Sequence, residues 1–343
     1  MFLQNEINEQ SSVIVRLLEE QDANIRRIAE AIRAFKPVYV CLAARGTSDN
    51  AALYAKYLFS AYLKLPMVLA TPSLHTLYHM PPDLSRGVVI GISQSGRAED
   101  VRQVLEDARS QGALTIAVTN YDDSPMATTA EHHIAILAGE EVSIAATKTY
   151  TAQLTVIAML TAALASDTPL QKDLALLPVH VQYTLDQAQK ISAWSERYRY
   201  MSNFSVIGRG FNYSTALEIS LKVKELCYLS TTGYSEADFR HGPIAMIQPG
   251  FPVMLVAPRG HTMAYMHDLA QKLKEREAEV LVISNDDDML AQGLHGMRLP
   301  DLPEWLSPVV GVIPGQVFAM QQALHRGNAV DKPRGLSKVT VTK

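Results

Sequence analysis

Clusters of hydroxyl side chains and glycine follow two apolar runs in the first half of the chain. The sequence SQSG, residues 93–96, comes directly after an apolar run that ends at Ile92, and RGTSDN, residues 45–50, comes after a run that ends at Ala44. Serine and threonine hydroxyls donate rotatable hydrogen bonds, and glycine lets the backbone approach a ligand closely. Such groups at the start of a helix bind anions. The two clusters are therefore candidate anion-binding loops.

Helix capping is the alternative interpretation, because each cluster precedes a helical pattern and serine and threonine are common N-caps. A third cluster, AATKTYT at residues 145–151, favours a cradle of neutral donors for a phosphate. Nucleotides are disfavoured, since the chain has no GxxxxGK[ST] and no GxGxxG placed after a strand. The candidate binding residues are Arg45, Gly46, Thr47, Ser48, Ser93, Gln94, Ser95, Ala146 and Thr147.

Apolar runs alternate with helical patterns around these loops. PVYVCLAA, PMVLATP, GVVIGIS and ALTIAVTN predict strands, whereas DNAALYAKYLFSAYL and AEDVRQVLEDARSQG predict helices. Fully apolar strands separated by helices are typical of a parallel sheet covered by helices on both faces. Ligands bind such α/β sheets at the carboxyl ends of the strands, which is where the hydroxyl clusters lie.

The second half of the chain repeats this plan. FSVIGRGFNYSTALEISLKVKEL echoes VYVCLAARGTSDNAALYAKYL, and residues 251–285 echo residues 87–120. A repeat of this length predicts two copies of one α/β unit. The predicted organisation is a helical segment at 1–27, a first domain at 28–166, a helical connector at 167–194, a second domain at 195–330 and a tail at 331–343.

Composition excludes several other classes of protein. The chain has 343 residues, 48% of them hydrophobic, and a net charge of −4, which disfavours nucleic acid or an anionic membrane as partner. The apolar segment from Tyr150 to Ala165 is shorter than the roughly 20 residues that span a bilayer, so it predicts a buried helix. No signal peptide is visible, and Cys41 and Cys227 are predicted to be reduced core thiols of a cytoplasmic protein. No ligand cluster predicts a metal or another cofactor.

Together these motifs resemble the tandem sugar-isomerase (SIS) domain family. The chain is similar to the isomerase half of glutamine–fructose-6-phosphate amidotransferase, and its first loop is most similar to those of SIS-type glucosamine-6-phosphate deaminases. This resemblance implies two flavodoxin-like three-layer sandwiches, a sugar phosphate substrate and a homodimer. The matching segments are GTS at 46–48, SQSG at 93–96, AATKTYTAQLTVIAML at 145–160, ALEISLKVKELCY at 216–228, HGP at 241–243 and VDKPRGLSKVTV at 330–341.

The resemblance also implies four candidate catalytic residues. Glu225 would move a proton between carbons 1 and 2 of the sugar, and His241, reaching into the site of the neighbouring subunit, would assist ring opening. Lys338 would form a Schiff base with the open-chain sugar or contact its carbonyl end, under a tail folded over the site. Lys222 would act electrostatically or in ring opening. Spacing alone favours a solvated helix face on which Glu218, Lys222 and Glu225 form ion pairs, and only the resemblance favours the catalytic roles.

The sequence departs from the synthase at several positions. Ala98 replaces a threonine that donates to phosphate, and Ala146 replaces a serine near the sugar. Arg45 replaces a cysteine, and we expect it either to bind phosphate or substrate oxygen or to pair with a carboxylate such as Asp49. Position 2 is Phe2 where the glutaminase domain of the synthase has its cysteine, so ammonia from glutamine is not expected.

The function that this resemblance implies is conversion of glucosamine 6-phosphate to fructose 6-phosphate and ammonia. A deglycase of fructosamine 6-phosphates, or another phosphosugar isomerase, needs the same proton transfer and is the alternative within the same class. A non-catalytic sugar-phosphate sensor is the alternative of a different class, and it would have no use for a base at position 225.

Overall fold

The computed structural model describes residues 1–338. The strands are β1 Tyr39–Ala43, β2 Met67–Leu69, β3 Gly87–Ile92, β4 Leu114–Thr119, β5 His132–Ala135, β6 Asn203–Gly208, β7 Ser230–Ser235, β8 Pro252–Val256, β9 Glu279–Ser284 and β10 His295–Arg298. The α-helices are α1 Phe2–Asn8, α2 Gln10–Glu20, α3 Asp22–Phe35, α4 Thr47–Leu63, α5 Pro72–Thr76, α6 Glu99–Ser110, α7 Pro125–Thr129, α8 Lys148–Ala165, α9 Thr168–Ala175, α10 Leu177–Ala188, α11 Tyr213–Cys227, α12 Glu236–Arg240, α13 Met263–Glu275, α14 Asp287–Leu290 and α15 Ser307–His325. Short 3₁₀ helices lie at Gln189–Ala193, Ser195–Tyr200, Gly210–Asn212, Pro243–Met246 and Glu304–Leu306.

The strands form two five-stranded sheets with the same topology. The first sheet has the order β2-β1-β3-β4-β5 and the second the order β7-β6-β8-β9-β10, and neighbouring strands are parallel throughout. The prediction of a duplicated parallel α/β unit is therefore confirmed. In each sheet the second strand in sequence (β2 or β7) lies at the edge on one side of the first strand (β1 or β6). The third strand (β3 or β8) and those after it lie on the other side. This reversal makes a topological switch point, between β1 and β3 in the first sheet and between β6 and β8 in the second.

Contacts between residues divide the described chain into two compact units. The first unit comprises residues 12–141, 148–175 and 337–338, and it contains the first sheet. The second unit comprises residues 1–11, 142–147 and 176–336, and it contains the second sheet. The short segment 142–147 and the first helix thus belong to the unit of the second sheet.

In the first unit, the local sequence explains why the strands β3 and β4 and the helix α6 form around the SQSG loop. β3 and β4 are buried along their whole length, which is why they are continuous apolar runs. α6 buries one face through Val101, Val104 and Leu105, in the same cluster as Cys41 and Val89 of the sheet. These contacts fix the start of α6 directly behind the SQSG loop.

Helix α8 is buried on all sides, as the segment from Tyr150 to Ala165 predicts. Its residues from Lys148 to Ala162 are all buried. A helix that is apolar all round belongs in a core or a membrane, and the described residues, 1–338, include no helix long and apolar enough to cross a bilayer. The prediction of a buried core helix is therefore confirmed.

Both cysteines lie in the interior, in agreement with the prediction of core thiols. Cys41 and Cys227 are buried and form no disulfide. Burial raises the pKa of the Cys41 thiol to about 11 and that of the Cys227 thiol to about 12, so neither is a reactive thiolate at neutral pH.

Candidate functional site

The loop after β1 begins the candidate phosphate site in the first unit. Gly46 has a φ of 55°, a left-handed conformation that glycine adopts without strain, and α4 starts at the next residue, Thr47. Ser48 is buried in the first turn of α4, where its hydroxyl accepts a hydrogen bond of 3.0 Å from the side-chain amide of Gln153 on α8. The Gln153 amide fixes the position of the Ser48 oxygen, and the proton of the Ser48 hydroxyl remains able to donate to a ligand.

The SQSG loop follows β3 at the same end of the sheet. The Ser93 hydroxyl accepts from the Gly96 amide at 3.2 Å, and the Ser95 hydroxyl accepts from the Arg97 amide at 3.3 Å. Gly96 again has a positive φ, of 64°. Each serine hydroxyl is thereby oriented through its oxygen, while its own proton is available for an acceptor such as a phosphate oxygen.

Capping does not account for these hydroxyl groups. The N-cap positions of α4 and α6 are occupied by Gly46 and Ala98, and neither residue type has a side-chain acceptor. The capping interpretation is thus wrong for both helices. Their N-termini lie at the switch point between β1 and β3, where the helix dipoles favour an anion.

Arg45, in the loop after β1, forms an ion pair with the helix that follows the SQSG loop. Its Nε lies 2.7 Å from Oδ2 of Asp100, whose side chain is fully buried at the start of α6. The partner is therefore Asp100 and not Asp49, the carboxylate that the sequence suggested. Burial raises the pKa of Asp49, and the positive charge of Arg45 only partly offsets this effect.

The segment at residues 145–151 is divided between the two units. Thr149, in the first turn of α8, donates to Glu141 through its amide at 3.2 Å and its hydroxyl at 2.8 Å. The Lys338 ammonium lies 2.6 Å from the same carboxylate, whose side chain is fully buried. Lys338 is thus attached to the N-terminal turn of α8 in the first unit.

Ala146 and Thr147 belong to the second unit. The buried carboxylate of Glu6 binds the segment 142–147, which carries them. Glu6 of α1 accepts hydrogen bonds from the amide of Ser143, at 3.1 Å, and from its hydroxyl. The Thr147 carbonyl accepts from Gln316 of α15 at 3.4 Å. The N-terminal helix therefore has a structural role in placing the predicted sugar-binding residues.

Helix α11 of the second unit carries a three-membered ion-pair cluster. The Lys222 ammonium lies 2.6 Å from Glu225 Oε2 and 3.3 Å from Glu218 Oε1. The side chains of Lys222 and Glu218 are buried, whereas that of Glu225 is 22% exposed. The solvated-face interpretation of this helix is therefore wrong for Lys222 and Glu218. Glu225 is the member that solvent or a substrate can reach.

The charges around Lys222 set its protonation state. Burial alone lowers the pKa of Lys222, but Glu218 and Glu225 more than reverse this effect, so the pKa lies above the ordinary lysine value of 10.5. Lys222 is therefore a cation at neutral pH. This state fits an electrostatic role.

His241 lies on a loop of the second unit, as predicted. It follows α12 and precedes Gly242, which has a φ of 148°, and its side chain is exposed. Its amide donates to the Asp238 carbonyl at 3.1 Å. The role of His241 in ring opening remains a prediction.

Comparison with known proteins identifies the family. The family model described as the SIS domain matches residues 38–163 and 202–326, which include both sheets. The chain belongs to the SIS domain family. The first SIS match contains the two hydroxyl loops and most of α8, and the second contains α11 and His241.

Relatives of this SIS protein include sugar-phosphate enzymes. Glutamine–fructose-6-phosphate aminotransferase (isomerizing) from Bordetella parapertussis is 33% identical over 99% of this chain, and the chain spans 58% of that protein. The C-terminal domain of glucosamine-fructose-6-phosphate aminotransferase from Francisella tularensis has a TM-score of 0.86 at 24% identity, covering 97% of this chain and 98% of that one. Glucosamine-6-phosphate deaminase from Thermotoga maritima has a TM-score of 0.84 at 22% identity, covering 100% of both chains. These two structures share the tandem SIS fold.

Sequence reasoning missed three carboxylates that organise these SIS units. Glu6, Asp100 and Glu141 are buried and bind site residues or the segments that carry them. The available signal was an acidic residue inside an otherwise apolar or helical pattern, which spacing alone does not distinguish from a surface charge. In residues 1–338, no group of three His, Cys, Asp or Glu side chains is arranged to hold a metal ion.

Proposed function

We propose that this chain is a phosphosugar enzyme of the isomerase class that converts glucosamine 6-phosphate and water to fructose 6-phosphate and ammonia. The SIS family membership and the names of the relatives support the substrate class. The observation that carries the proposal is the Glu225 carboxylate, partly exposed and held at 2.6 Å by the buried Lys222 ammonium. A protein that only binds a sugar phosphate does not need a carboxylate fixed in this way.

The proposed reaction uses one proton shuttle and one hydrolysis. After ring opening, assisted by His241, Glu225 removes the proton from carbon 2 and gives it to carbon 1 through an enolamine. The product is an imine at carbon 2, and addition of water followed by loss of ammonia leaves the ketone of fructose 6-phosphate. Lys222 stabilises the negative charge that develops during the transfer. Lys338 contacts the carbonyl end of the open-chain sugar.

The phosphate is proposed to bind the hydroxyl loops of the first unit. Ser93, Gln94 and Ser95 lie before the N-terminus of α6, and Thr47 and Ser48 lie in the first turn of α4. Oriented hydroxyl donors at the N-termini of two helices suit a dianion, because the helix dipoles favour negative charge and each hydroxyl donates a hydrogen bond to a charged acceptor. Ala146 and Thr147 are proposed to contact the sugar.

The substrate assignment is tested by supplying the purified protein with three sugar phosphates. We expect ammonia and fructose 6-phosphate from glucosamine 6-phosphate, detected by a coupled ammonia assay and by NMR. Lysine release from fructoselysine 6-phosphate would assign a deglycase instead, and interconversion of glucose and fructose 6-phosphates without ammonia would assign a simple isomerase. Binding of sugar phosphate with no turnover of any of them would assign a sensor.

We further propose that the active form is a homodimer in which His241 serves the site of the partner subunit. Mixing Glu225→Gln and His241→Ala subunits, each nearly inactive alone, then restores activity, because half of the sites in each mixed dimer have both intact residues. Random exchange makes half of the dimers mixed, so about a quarter of the wild-type activity is expected. Light scattering checks the dimer, and recovery no greater than the sum of the two variants would contradict the shared site.

A further inference from the structure

The ion pair between Arg45 and Asp100 joins the loop after β1 to the first turn of α6, at the switch point of the first sheet. Arg45 follows β1, and Asp100 lies in the first turn of α6, which follows β3. β1 and β3 are adjacent in the sheet, so the 2.7 Å contact between Nε and Oδ2 connects the walls of the crevice in which such sheets bind ligands.

The side chains of Arg45 and Asp100 differ in exposure. This difference indicates that Asp100 is fixed in place and that Arg45 is able to contact a ligand. The Asp100 side chain is 0% exposed, and its carboxylate also accepts a hydrogen bond of 2.9 Å from the Val101 amide. The Arg45 side chain is 50% exposed. A buried carboxylate that is hydrogen-bonded on both oxygens is a rigid anchor, whereas the exposed guanidinium is accessible to a ligand.

The atoms used in the contact leave the rest of the guanidinium suited to a phosphate. Asp100 engages Nε, so the edge that carries Nη1 and Nη2 extends beyond the ion pair. That edge presents parallel N–H donors that match two phosphate oxygens, provided that the plane of the group is held in place. The serine loop supplies neutral donors, and a guanidinium beside it adds the positive charge that a dianion favours.

We infer that Asp100 is a positioning residue that holds the Arg45 guanidinium beside the Ser93–Gly96 loop, where it binds the phosphate of the sugar. This inference rests on the proposed function only in that the loop binds a phosphate. Asp100 acts through Arg45 and does not touch the substrate itself. Arg97, the residue directly after this loop, is exposed and serves as a control for charge alone.

The test is a double-mutant cycle on binding of fructose 6-phosphate, measured by isothermal titration calorimetry at constant ionic strength. Arg45→Gln is expected to raise Kd about thirtyfold, and Asp100→Asn about tenfold, because a charge-assisted bond loses its charge or its alignment. Adding Asp100→Asn to Arg45→Gln is expected to change Kd by less than about twofold, and Arg97→Gln alone by less than about threefold.

A purely structural role for Asp100 predicts a different pattern, in which Asp100→Asn weakens binding equally with and without Arg45. That result, or wild-type affinity in either single variant, overturns the inference. If Asp100→Asn does not fold, Arg45→Lys replaces it, since lysine keeps the charge but lacks the planar fork, and it is expected to bind as weakly. Failure of the wild-type protein to bind fructose 6-phosphate or inorganic phosphate would instead count against the proposed function.

Discussion

Replacing Glu225 by glutamine is expected to lower the rate of ammonia release from glucosamine 6-phosphate about a thousandfold, because an amide cannot accept the proton from carbon 2. The change keeps the size of the side chain. The Lys222 ammonium retains the Glu218 carboxylate at 3.3 Å, so the buried charge stays compensated. The loss should therefore appear in kcat, while the Kd of fructose 6-phosphate changes by less than about threefold.

Single-turnover kinetics measures the rate of the chemical step, and calorimetry on the same preparation measures the Kd of fructose 6-phosphate. Glu275→Gln, at the exposed end of α13, is the matched control and is expected to leave both unchanged. Exchange of the carbon 2 deuteron of labelled substrate gives a second readout, since it reports proton removal directly. Near-normal turnover or exchange in Glu225→Gln would assign the proton transfer to another group.

The fold was predictable because it depends on local patterns. Continuous apolar runs such as residues 87–92 predict strands buried on both faces, and the repeat of one plan predicts the second sheet. Both hydroxyl loops follow strand ends, so their position at the edge of the sheet followed from the alternation of strands and helices.

The polar contacts that organise the site were not predictable in the same way. Arg45 meets Asp100, 55 residues away, and Lys338 meets Glu141, 197 residues away. Asp49 is closer to Arg45 in sequence and lies in the first turn of α4, but the Arg45 guanidinium contacts the first turn of α6 instead. Such pairs depend on which strands are neighbours, and a buried carboxylate has the same residue type and spacing as one on the surface.

Replacing Lys222 by methionine is expected to lower the free energy of unfolding by about 3–5 kcal/mol, because it removes the ammonium that compensates a fully buried carboxylate. The side chains of Lys222 and Glu218 are 1% and 0% exposed. Adding Glu218→Gln to Lys222→Met should recover most of the loss, since no uncompensated charge then stays buried. Urea unfolding followed by circular dichroism measures both variants.

An exposed pair with the same sequence spacing provides the control, and its carboxylate also contacts Arg240. Lys272 and Asp268 on α13 are also four residues apart and in contact at 2.8 Å, but their side chains are 46% and 53% exposed. Lys272→Met should therefore cost less than about 1 kcal/mol. Equal losses in the two lysine variants would mean that the Lys222 cluster is no more coupled to the fold than a surface pair.

The change of stability with pH provides an independent test of the Lys222 prediction. The pKa of Lys222 is raised in the folded state above its ordinary value of 10.5, so its stabilising effect is fully present below pH 10.5. Above that pH the unfolded chain loses its proton first, and the advantage of the wild type over Lys222→Met declines as the pH rises toward the folded-state pKa. A difference in stability that grew at alkaline pH would show that the buried ammonium is not what stabilises the helix.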